Sequence, residues 1–252
     1  MAEPLLDNPR SFAASVAAVL GGTAIERAGL AGFVSSQFDP FLNHLFAEAT
    51  VTPRQVADAL EGRPAFVWLA EKPAPHELDA PGAETLKFVE MHGMNASTAP
   101  PLATAQINRE IVEVRTQTEL RAWHEIYCEV FGVNTEGIQD WQAVHHALGP
   151  TGDDALLLLL AYVDGSPAAT GGVYFEPHVA GLYCFTTRER MRRRGLASAL
   201  VHASHAVART RGVERALLQA TASGTPVYTK AGYRQERTLP LLISGEDTIN
   251  RR

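Results

Sequence analysis

The chain has 252 residues, of which 46% are hydrophobic and 20% are charged, values typical of a globular protein. Its formal net charge of −6 argues against a protein that binds nucleic acid. The longest unbroken apolar run, Ala155–Val163, is far shorter than the ~18 residues that a membrane-spanning helix needs, so we expect no membrane segment. Since the N-terminus lacks a basic region followed by an apolar core, we expect no signal peptide and a cytoplasmic protein.

The cysteines and histidines do not form a recognisable metal or disulfide pattern. Cys128 and Cys184 are too few for a disulfide framework, and neither lies in a Cys-x-x-Cys or zinc-ligand spacing. His145 and His146 are adjacent, so on a helix they point about 100° apart and cannot chelate as an i, i+4 pair does. We therefore expect reduced, mostly buried thiols and no metal site.

Residues 1–108 are predicted to form a first, smaller α/β domain. Thr52-Pro53-Arg54-Gln55 is typical of a helix start, with threonine as N-cap, proline at the first position and glutamine three residues on. The predicted elements are a helix at Ser11–Leu20, a helix after Thr52, a strand at Ala65–Ala70 and a helix at Gly82–Met91. Thr98–Gln106 contains Pro100-Pro101 and several small residues, so it is the best candidate for a linker.

Residues 109–252 are predicted to form a second domain, which opens with a strand at Ile111–Val114. Thr116-Gln117-Thr118-Glu119 is a capping box that begins a helix. The next elements are a helix at Trp141–Leu148, hairpin strands at Leu156–Val163 and Ala168–Phe175 around Asp164-Gly165, and a strand at Leu182–Thr187. This order predicts an α+β fold with a mixed, mostly antiparallel sheet flanked by helices.

A basic loop between Thr187 and Ala197 joins that last strand to a helix. Apolar residues recur at helical spacing after the loop, at Leu196, Leu200, Ala203 and Val207. Gly195 and Ala197 are small, so a ligand can approach the backbone of the first helical turn. The unpaired N–H groups and the helix dipole there favour an anion such as phosphate. The alternative from this segment alone is a solvated arginine-rich loop, or one that contacts nucleic acid.

The loop also carries a family resemblance. Arg192-x-x-Gly195-x-Ala197 is similar to the Arg/Gln-x-x-Gly-x-Gly/Ala signature of the GNAT N-acetyltransferases. A strand at Ala216–Thr221 follows, and then Tyr228-Thr229-Lys230-Ala231-Gly232-Tyr233 resembles the Tyr-x-x-x-Gly-Phe segment of that family. The resemblance covers the second half of the chain and is much weaker before Arg109. The helix-and-strand rhythm of the first half resembles a tandem form, in which a degenerate GNAT-like half precedes the active one.

The resemblance implies that acetyl-CoA is a co-substrate. Its pantetheine arm is expected to contact Phe185, Thr186 and Thr187, in a gap between the strands before and after the loop. The pyrophosphate is expected on the basic loop and the helix start. The residues that the resemblance assigns there are Arg192, Arg193, Arg194, Gly195, Leu196, Ala197 and Ser198.

The expected reaction is direct attack of an amine on the acetyl thioester. Tyr228 aligns with the family tyrosine that protonates the leaving thiolate; the alternative is a core tyrosine that packs the short helix. Glu176 and His178 are candidates for the general base, and a water relay is the other option. Thr221 stands where the family often has an asparagine, which leaves one polar contact to acetyl-CoA in doubt.

Three functions remain open at this point. The first is an acyltransferase that moves acetyl to a primary amine of a small molecule or peptide. The second is a non-catalytic acyl-CoA-binding module, and the third is an arginine-mediated nucleic-acid binder. The acidic net charge and the lack of aromatic residues among the arginines argue against the third. We expect no nucleic-acid or membrane partner, and we leave open a homodimer and the identity of the amine.

Overall fold

The computed structural model of the chain describes residues 4–27, 29–99 and 110–245. Its strands are β1 Thr23–Arg27, β2 Leu30–Val34, β3 His44–Ala47, β4 Ala65–Trp68, β5 Leu86–Ser97, β6 Glu110–Glu113, β7 Leu156–Val163, β8 Ser166–Glu176, β9 Val179–Thr187, β10 Arg215–Ala220 and β11 Arg234–Ser244. Its helices are α1 Pro4–Leu20, α2 Pro53–Leu60, α3 Pro75–Leu78, α4 Gln117–Phe131, α5 Ile138–Leu148, α6 Leu196–Thr210 and α7 Thr225–Lys230. Short 3-10 turns lie at Pro40–Leu42, Thr135–Gly137 and Glu189–Met191.

All of these strands belong to one sheet, in the order β1-β2-β3-β4-β11-β5-β10-β9-β8-β7-β6. The pairs β3–β4 and β9–β10 are parallel, and the other neighbouring pairs are antiparallel. The predicted α+β fold with a mostly antiparallel sheet is therefore confirmed.

Helices cover both faces of the sheet. On β7, Leu157, Leu159 and Ala161 pack in the cluster that includes α6, whereas Leu156, Leu158 and Leu160 pack in the cluster that includes α1, α4 and α5. Because successive strand residues point to opposite faces, a strand buried on both sides has a continuous apolar sequence. The Leu156–Leu160 run has this character.

Local signals in the sequence position the helix starts. The Thr52 hydroxyl accepts the Gln55 N–H at 3.3 Å, and the Gln55 side chain accepts the Thr52 N–H at 2.8 Å. The Thr116 hydroxyl and the Glu119 carboxylate form the same reciprocal box at 3.2 and 2.9 Å. Both predicted capping boxes are confirmed. The first helix starts earlier than predicted, at Pro4 rather than Ser11.

The predicted helix at Gly82–Met91 is wrong, because most of this segment belongs to strand β5. That strand pairs with β11 over residues 86–95 and with β10 over residues 92–97. Its side chains alternate, with Phe88 packing on the α2 side of the sheet and Val89 and Met91 on the α1 side. Tertiary pairing on both edges outweighs the local preference for a helix.

Strand β5 also joins the two halves of the chain. It comes from the predicted first domain, yet it lies between β10 and β11 of the predicted second domain. The candidate linker Thr98–Gln106 and the predicted boundary after residue 108 fall mostly outside the described residues, so the boundary stays a prediction. At its described beginning, the Thr98 N–H donates to Glu214 O at 2.9 Å and the Thr98 hydroxyl to Val213 O at 2.9 Å.

Candidate functional site

A gap opens between the parallel strands β9 and β10. Their pairing joins Ala180–Leu182 to Ala216–Leu218 and ends there, although β9 continues to Thr187 and β10 to Ala220. The carboxyl ends of the two strands therefore diverge, as the resemblance implies.

A β-bulge turns β9 away from its neighbour. The register between β8 and β9 shifts between Thr170, which pairs with Thr186, and Gly172, which pairs with Tyr183. Cys184 lies in the bulge with a φ of 55°, and its carbonyl accepts the Thr170 hydroxyl at 2.9 Å. Bulges bend a strand and increase its twist, so this one explains the divergence of β9 from β10.

The three predicted pantetheine contacts differ in the groups that they can offer to a ligand. The Phe185 ring lies against Gly171, where an added Cβ would come within 3.0 Å of Phe185 Cζ. The Thr186 hydroxyl is 2.6 Å from the Thr170 hydroxyl and is buried. Thr186 can therefore offer only its backbone to a ligand in the gap. The Thr187 carbonyl accepts the Arg192 Nε–H at 3.4 Å.

The basic loop leads directly into the start of α6. Arg193 and Gly195 have φ values of 61° and 72°, in the left-handed region that glycine adopts without strain. The first intrahelical bond runs from Ala199 N to Gly195 O at 3.0 Å. The N–H groups of the first helical turn have no carbonyl partner within the helix. The structure thus places the predicted phosphate residues Arg192–Ser198 around a helix N-terminus, with Arg192–Gly195 exposed and Leu196 buried.

A cavity of about 1230 Å³ extends from this gap. Several predicted or discussed site residues line it: Phe185, Arg192, Thr221 and Tyr228, together with Cys184. The end of α4 forms one wall, and the Arg188 Nε lies 3.0 Å from Glu129 Oε2 of that helix. This ion pair connects the wall to the beginning of the basic loop.

Tyr228 on α7 is half-buried beside Phe185, with ring centroids 6.4 Å apart and planes at 71°. Its other aromatic neighbour is Tyr233, at 5.9 Å. Burial raises the pKa of Tyr228 above its ordinary value of 10.0, and the nearby Cys184 thiol acts in the same direction. The phenol is therefore protonated at neutral pH, the state that a proton donor requires. The Thr221 hydroxyl accepts the N–H of Gly224, the residue before α7, at 3.2 Å.

The structure does not bring Glu176 or His178 to this cavity. Glu176 is the last residue of β8 and His178 lies in the turn before β9, whereas the gap opens at the far end of β9. The Glu176 carboxylate accepts Asn8 Nδ2 at 2.6 Å, and Asn8 Oδ1 in turn accepts the Tyr183 hydroxyl at 2.6 Å. Glu176 thus holds α1 on the sheet.

His44 is a cavity residue that the sequence did not indicate. Trp68 Nε1 donates to His44 Nδ1 at 3.0 Å, so Nδ1 is the acceptor and Nε2–H donates to Phe41 O at 2.9 Å. Burial lowers the pKa of His44 to about 4, which keeps the ring neutral. With both nitrogens engaged, His44 orients the wall and does not accept a proton from a substrate.

Asp39 is the second residue that sequence reasoning missed. Its carboxylate is buried and accepts Tyr127 OH at 2.9 Å, Trp141 Nε1 at 2.8 Å and Phe41 N at 2.9 Å. Burial raises the pKa of Asp39 from 3.8 to about 6, although the three hydrogen bonds act against this. Asp39 therefore fastens the first half of the chain to α4 and α5. An aspartate directly before a proline is a helix-cap signal, and it was the one local clue.

The sequence also led to predictions about cysteines, metal sites and membrane segments. Cys128 and Cys184 are free and buried, as predicted, and burial raises the pKa of Cys128 to about 12. Among residues 4–27, 29–99 and 110–245, no group of three or more His, Cys, Asp or Glu side chains could hold a metal ion. Over the same residues, no helix has the length and apolar character needed to cross a membrane.

Solved structures share this fold over nearly the whole chain. A GCN5-related N-acetyltransferase from Kribbella flavida is 17% identical, with a TM-score of 0.62 over 94% of this chain and 95% of that one. A conserved protein of unknown function from Staphylococcus epidermidis is 14% identical, with a TM-score of 0.62 over 90% and 95%. A GCN5-related N-acetyltransferase-like protein from Streptococcus suis is 13% identical, with a TM-score of 0.60 over 95% and 99%. At these identities the likeness shows the fold, including that of the N-terminal half.

The sequence comparisons give a family match for residues 120–233. A search of curated proteins finds no match. The model of the acetyltransferase (GNAT) family matches residues 120–233, which include the bulged strand β9, the basic loop, α6 and Tyr228. Residues 120–233 therefore form a GNAT acetyltransferase domain, and the protein is an acyltransferase.

Proposed function

We propose that the protein transfers the acetyl group of acetyl-CoA to a primary amine of a small molecule or peptide by direct attack. The observation that carries this proposal is one continuous cavity, which links the gap between β9 and β10 to Tyr228 and to the open end of the basic loop. Acetyl-CoA has a long pantetheine arm and a charged pyrophosphate, so it needs an extended cavity with an anion site at one end.

The donor is expected to lie along the gap. The pyrophosphate would accept N–H groups between Arg193 and Ser198, where Gly195 has no side chain to hinder its approach. The exposed guanidinium groups of Arg192–Arg194 add positive charge beside it. The pantetheine arm would bond to the backbone of Phe185–Thr187, since the Thr186 side chain is committed to Thr170.

The chemistry then needs few protein groups. The neutral amine attacks the thioester carbonyl, a C–N bond forms, and the C–S bond breaks as the intermediate collapses. Tyr228 donates its proton to the departing sulfur and regains one from the new amide nitrogen through water. The products are the amide and the free thiol of CoA.

The proton that the incoming ammonium loses is proposed to pass to water. Glu176 is held by Asn8, and both His44 nitrogens are bonded, so none of these groups is placed to accept it. His178 lies at the other end of β9. Since Glu176 and His178 lie away from the cavity, we propose that water is the base.

Isothermal calorimetry with acetyl-CoA tests the donor assignment. We expect saturable one-to-one binding, and a melting temperature that rises with acetyl-CoA concentration because the ligand binds the native state. A thiol-release assay with a panel of primary amines then tests transfer. Failure to bind acetyl-CoA would remove the donor assignment, and binding without thiol release would remove the transfer step.

A further inference from the structure

The cavity continues beyond the gap, onto the sheet face that carries α1. Its floor there is apolar and comes from three adjacent strands of the sheet. The floor side chains are Phe66 and Trp68 of β4, Leu241 and Ile243 of β11, and Val89 and Met91 of β5. Phe66, Val89 and Met91 are only half-buried, so they leave apolar surface open to the cavity.

Aromatic side chains form the wall above this floor. Phe41 is half-buried, and its ring centroid lies 5.5 Å from Phe66, 5.8 Å from Tyr183 and 6.4 Å from Tyr127. Phe131, at the end of α4, lines the same cavity and is 41% exposed. An exposed phenylalanine that faces an apolar groove is typical of a binding surface.

The polar groups that line the groove have partners within the protein. Glu90 is paired with Lys72 at 3.2 Å, and Gln219 Nε2 donates to Leu5 O at 2.8 Å. Lys87 and Glu189 also line the cavity, and each has an interaction partner. Trp68 and His44 satisfy each other and the Phe41 carbonyl, so they do not offer hydrogen bonds to a hydroxyl-rich ligand. Glu129 lines the cavity next to the basic loop, is paired with Arg188 and has a half-exposed carboxylate. A negative group at the edge of an apolar groove complements an ammonium group on an apolar body.

We infer that this groove receives the apolar body of the acceptor, and that the acceptor is a primary amine on an aromatic or aliphatic body. This inference rests on the proposed function, since the groove is continuous with the acetyl-transfer site at Cys184 and Tyr228. Polyhydroxylated amines and polyamines are expected to be poor acceptors, because their polar groups would lie against the apolar floor without partners. The N-terminal half is then a part of the acceptor site, through β4, β5 and Phe41.

Steady-state thiol release from acetyl-CoA tests the inference with two apolar and two polar primary amines. We expect a kcat/KM about 100-fold higher for 2-phenylethylamine and n-hexylamine than for ethanolamine and 1,4-diaminobutane, because apolar contacts in such a groove discriminate strongly. Equal or reversed preference overturns the inference while leaving the proposed function intact. If acetyl-CoA binds but no amine turns over, calorimetry with the same amines decides, and binding without apolar preference overturns the inference.

A matched pair of variants tests whether the floor of the groove causes the preference for apolar amines. Met91→Ala removes a floor side chain, whereas Leu86→Ala removes a half-buried side chain of the same strand on the opposite face of the sheet. We expect Met91→Ala to lower kcat/KM for 2-phenylethylamine about tenfold and for ethanolamine less than twofold. Leu86→Ala should affect both amines alike. An equal effect of the two variants would overturn the assignment of the floor.

An acyl chain is the other apolar group that could enter the groove. The length of the acyl chain on CoA is therefore varied as well. Acetyl-, butanoyl- and hexanoyl-CoA are compared with ethanolamine as acceptor. We expect the rate to fall or stay constant as the acyl chain lengthens. A rate that rises with acyl length, without any preference among amines, would assign the groove to the donor and overturn the inference.

Discussion

The substitution Asp39→Asn is predicted to destabilise the protein at low pH and to lose this effect as the pH rises. Asp39→Asn keeps the size of the side chain but replaces one acceptor oxygen with an NH₂ group that cannot accept. The carboxylate accepts three hydrogen bonds from Tyr127, Trp141 and Phe41, so the amide leaves at least one donor unpaired. At pH 4 the folded-state group is a protonated carboxyl, because its pKa is about 6, but its hydroxyl oxygen can still accept whereas the amide NH₂ cannot. An unpaired buried donor costs about 1–3 kcal/mol, and the variant should be less stable than the wild type at pH 4 by up to that amount.

The loss of stability caused by Asp39→Asn should become smaller as the pH rises. The folded pKa of Asp39 is about 6 against an ordinary value of 3.8, so the folded state binds more protons between these values and the wild type loses stability as the pH increases. The difference corresponds to about 3 kcal/mol by pH 7, and the asparagine variant does not lose it. Above pH 6 the variant should therefore match or exceed the wild type in stability.

Urea unfolding of both proteins between pH 4 and pH 7 measures this difference. The comparison isolates Asp39, since the other titrating groups are common to both chains. A destabilisation by Asp39→Asn that grows with pH would show that the hydrogen bonds outweigh burial and lower the pKa of Asp39. That result would refute the reasoning.

Two further substitutions test the site. Tyr228→Phe should lower turnover by ~10²–10⁴-fold with little change in acetyl-CoA affinity, because only the proton donor is lost. The control is Tyr233→Phe, which removes a hydroxyl that is bonded to His205 at 2.9 Å. A loss of acetyl-CoA affinity in Tyr228→Phe would instead support a packing role for Tyr228. Gly195→Glu should abolish acetyl-CoA binding by calorimetry, since a side chain and a negative charge would occupy the phosphate position. Gly212→Glu is its control, because that glycine has a similar φ of 73° beyond the other end of α6, and equal binding in both variants would place the phosphates elsewhere.

The parts of the fold that sequence reasoning predicted have local causes. The capping boxes at Thr52 and Thr116 join residues three apart, and the hairpin turn depends on Asp164 and Gly165, whose φ values are 50° and 75°. The loop from Thr187 to Ala197 was likewise predicted because a strand, a basic loop and a helix start are adjacent in the sequence.

The parts that were missed depend on contacts between distant segments. β5 was predicted as a helix because its partners β10 and β11 lie far downstream in the chain. Asp39 meets Tyr127 and Trp141 across 88 and 102 residues, and neither spacing produces a sequence pattern. The apolar floor of the groove was missed for the same reason, because the sheet order that brings Phe66 and Met91 together is set by tertiary pairing.

Transfer of an isotope-labelled acetyl group is the most direct test of the central claim. The protein is incubated with acetyl-CoA labelled in the acetyl group and with 2-phenylethylamine among a panel of primary amines, and the products are analysed by mass spectrometry. We predict that the label appears on the amine nitrogen, in an amount equal to the free thiol of CoA released, and that Tyr228→Phe slows both together. Thiol release with the label in free acetate, or no release with any amine, would contradict the proposed transfer.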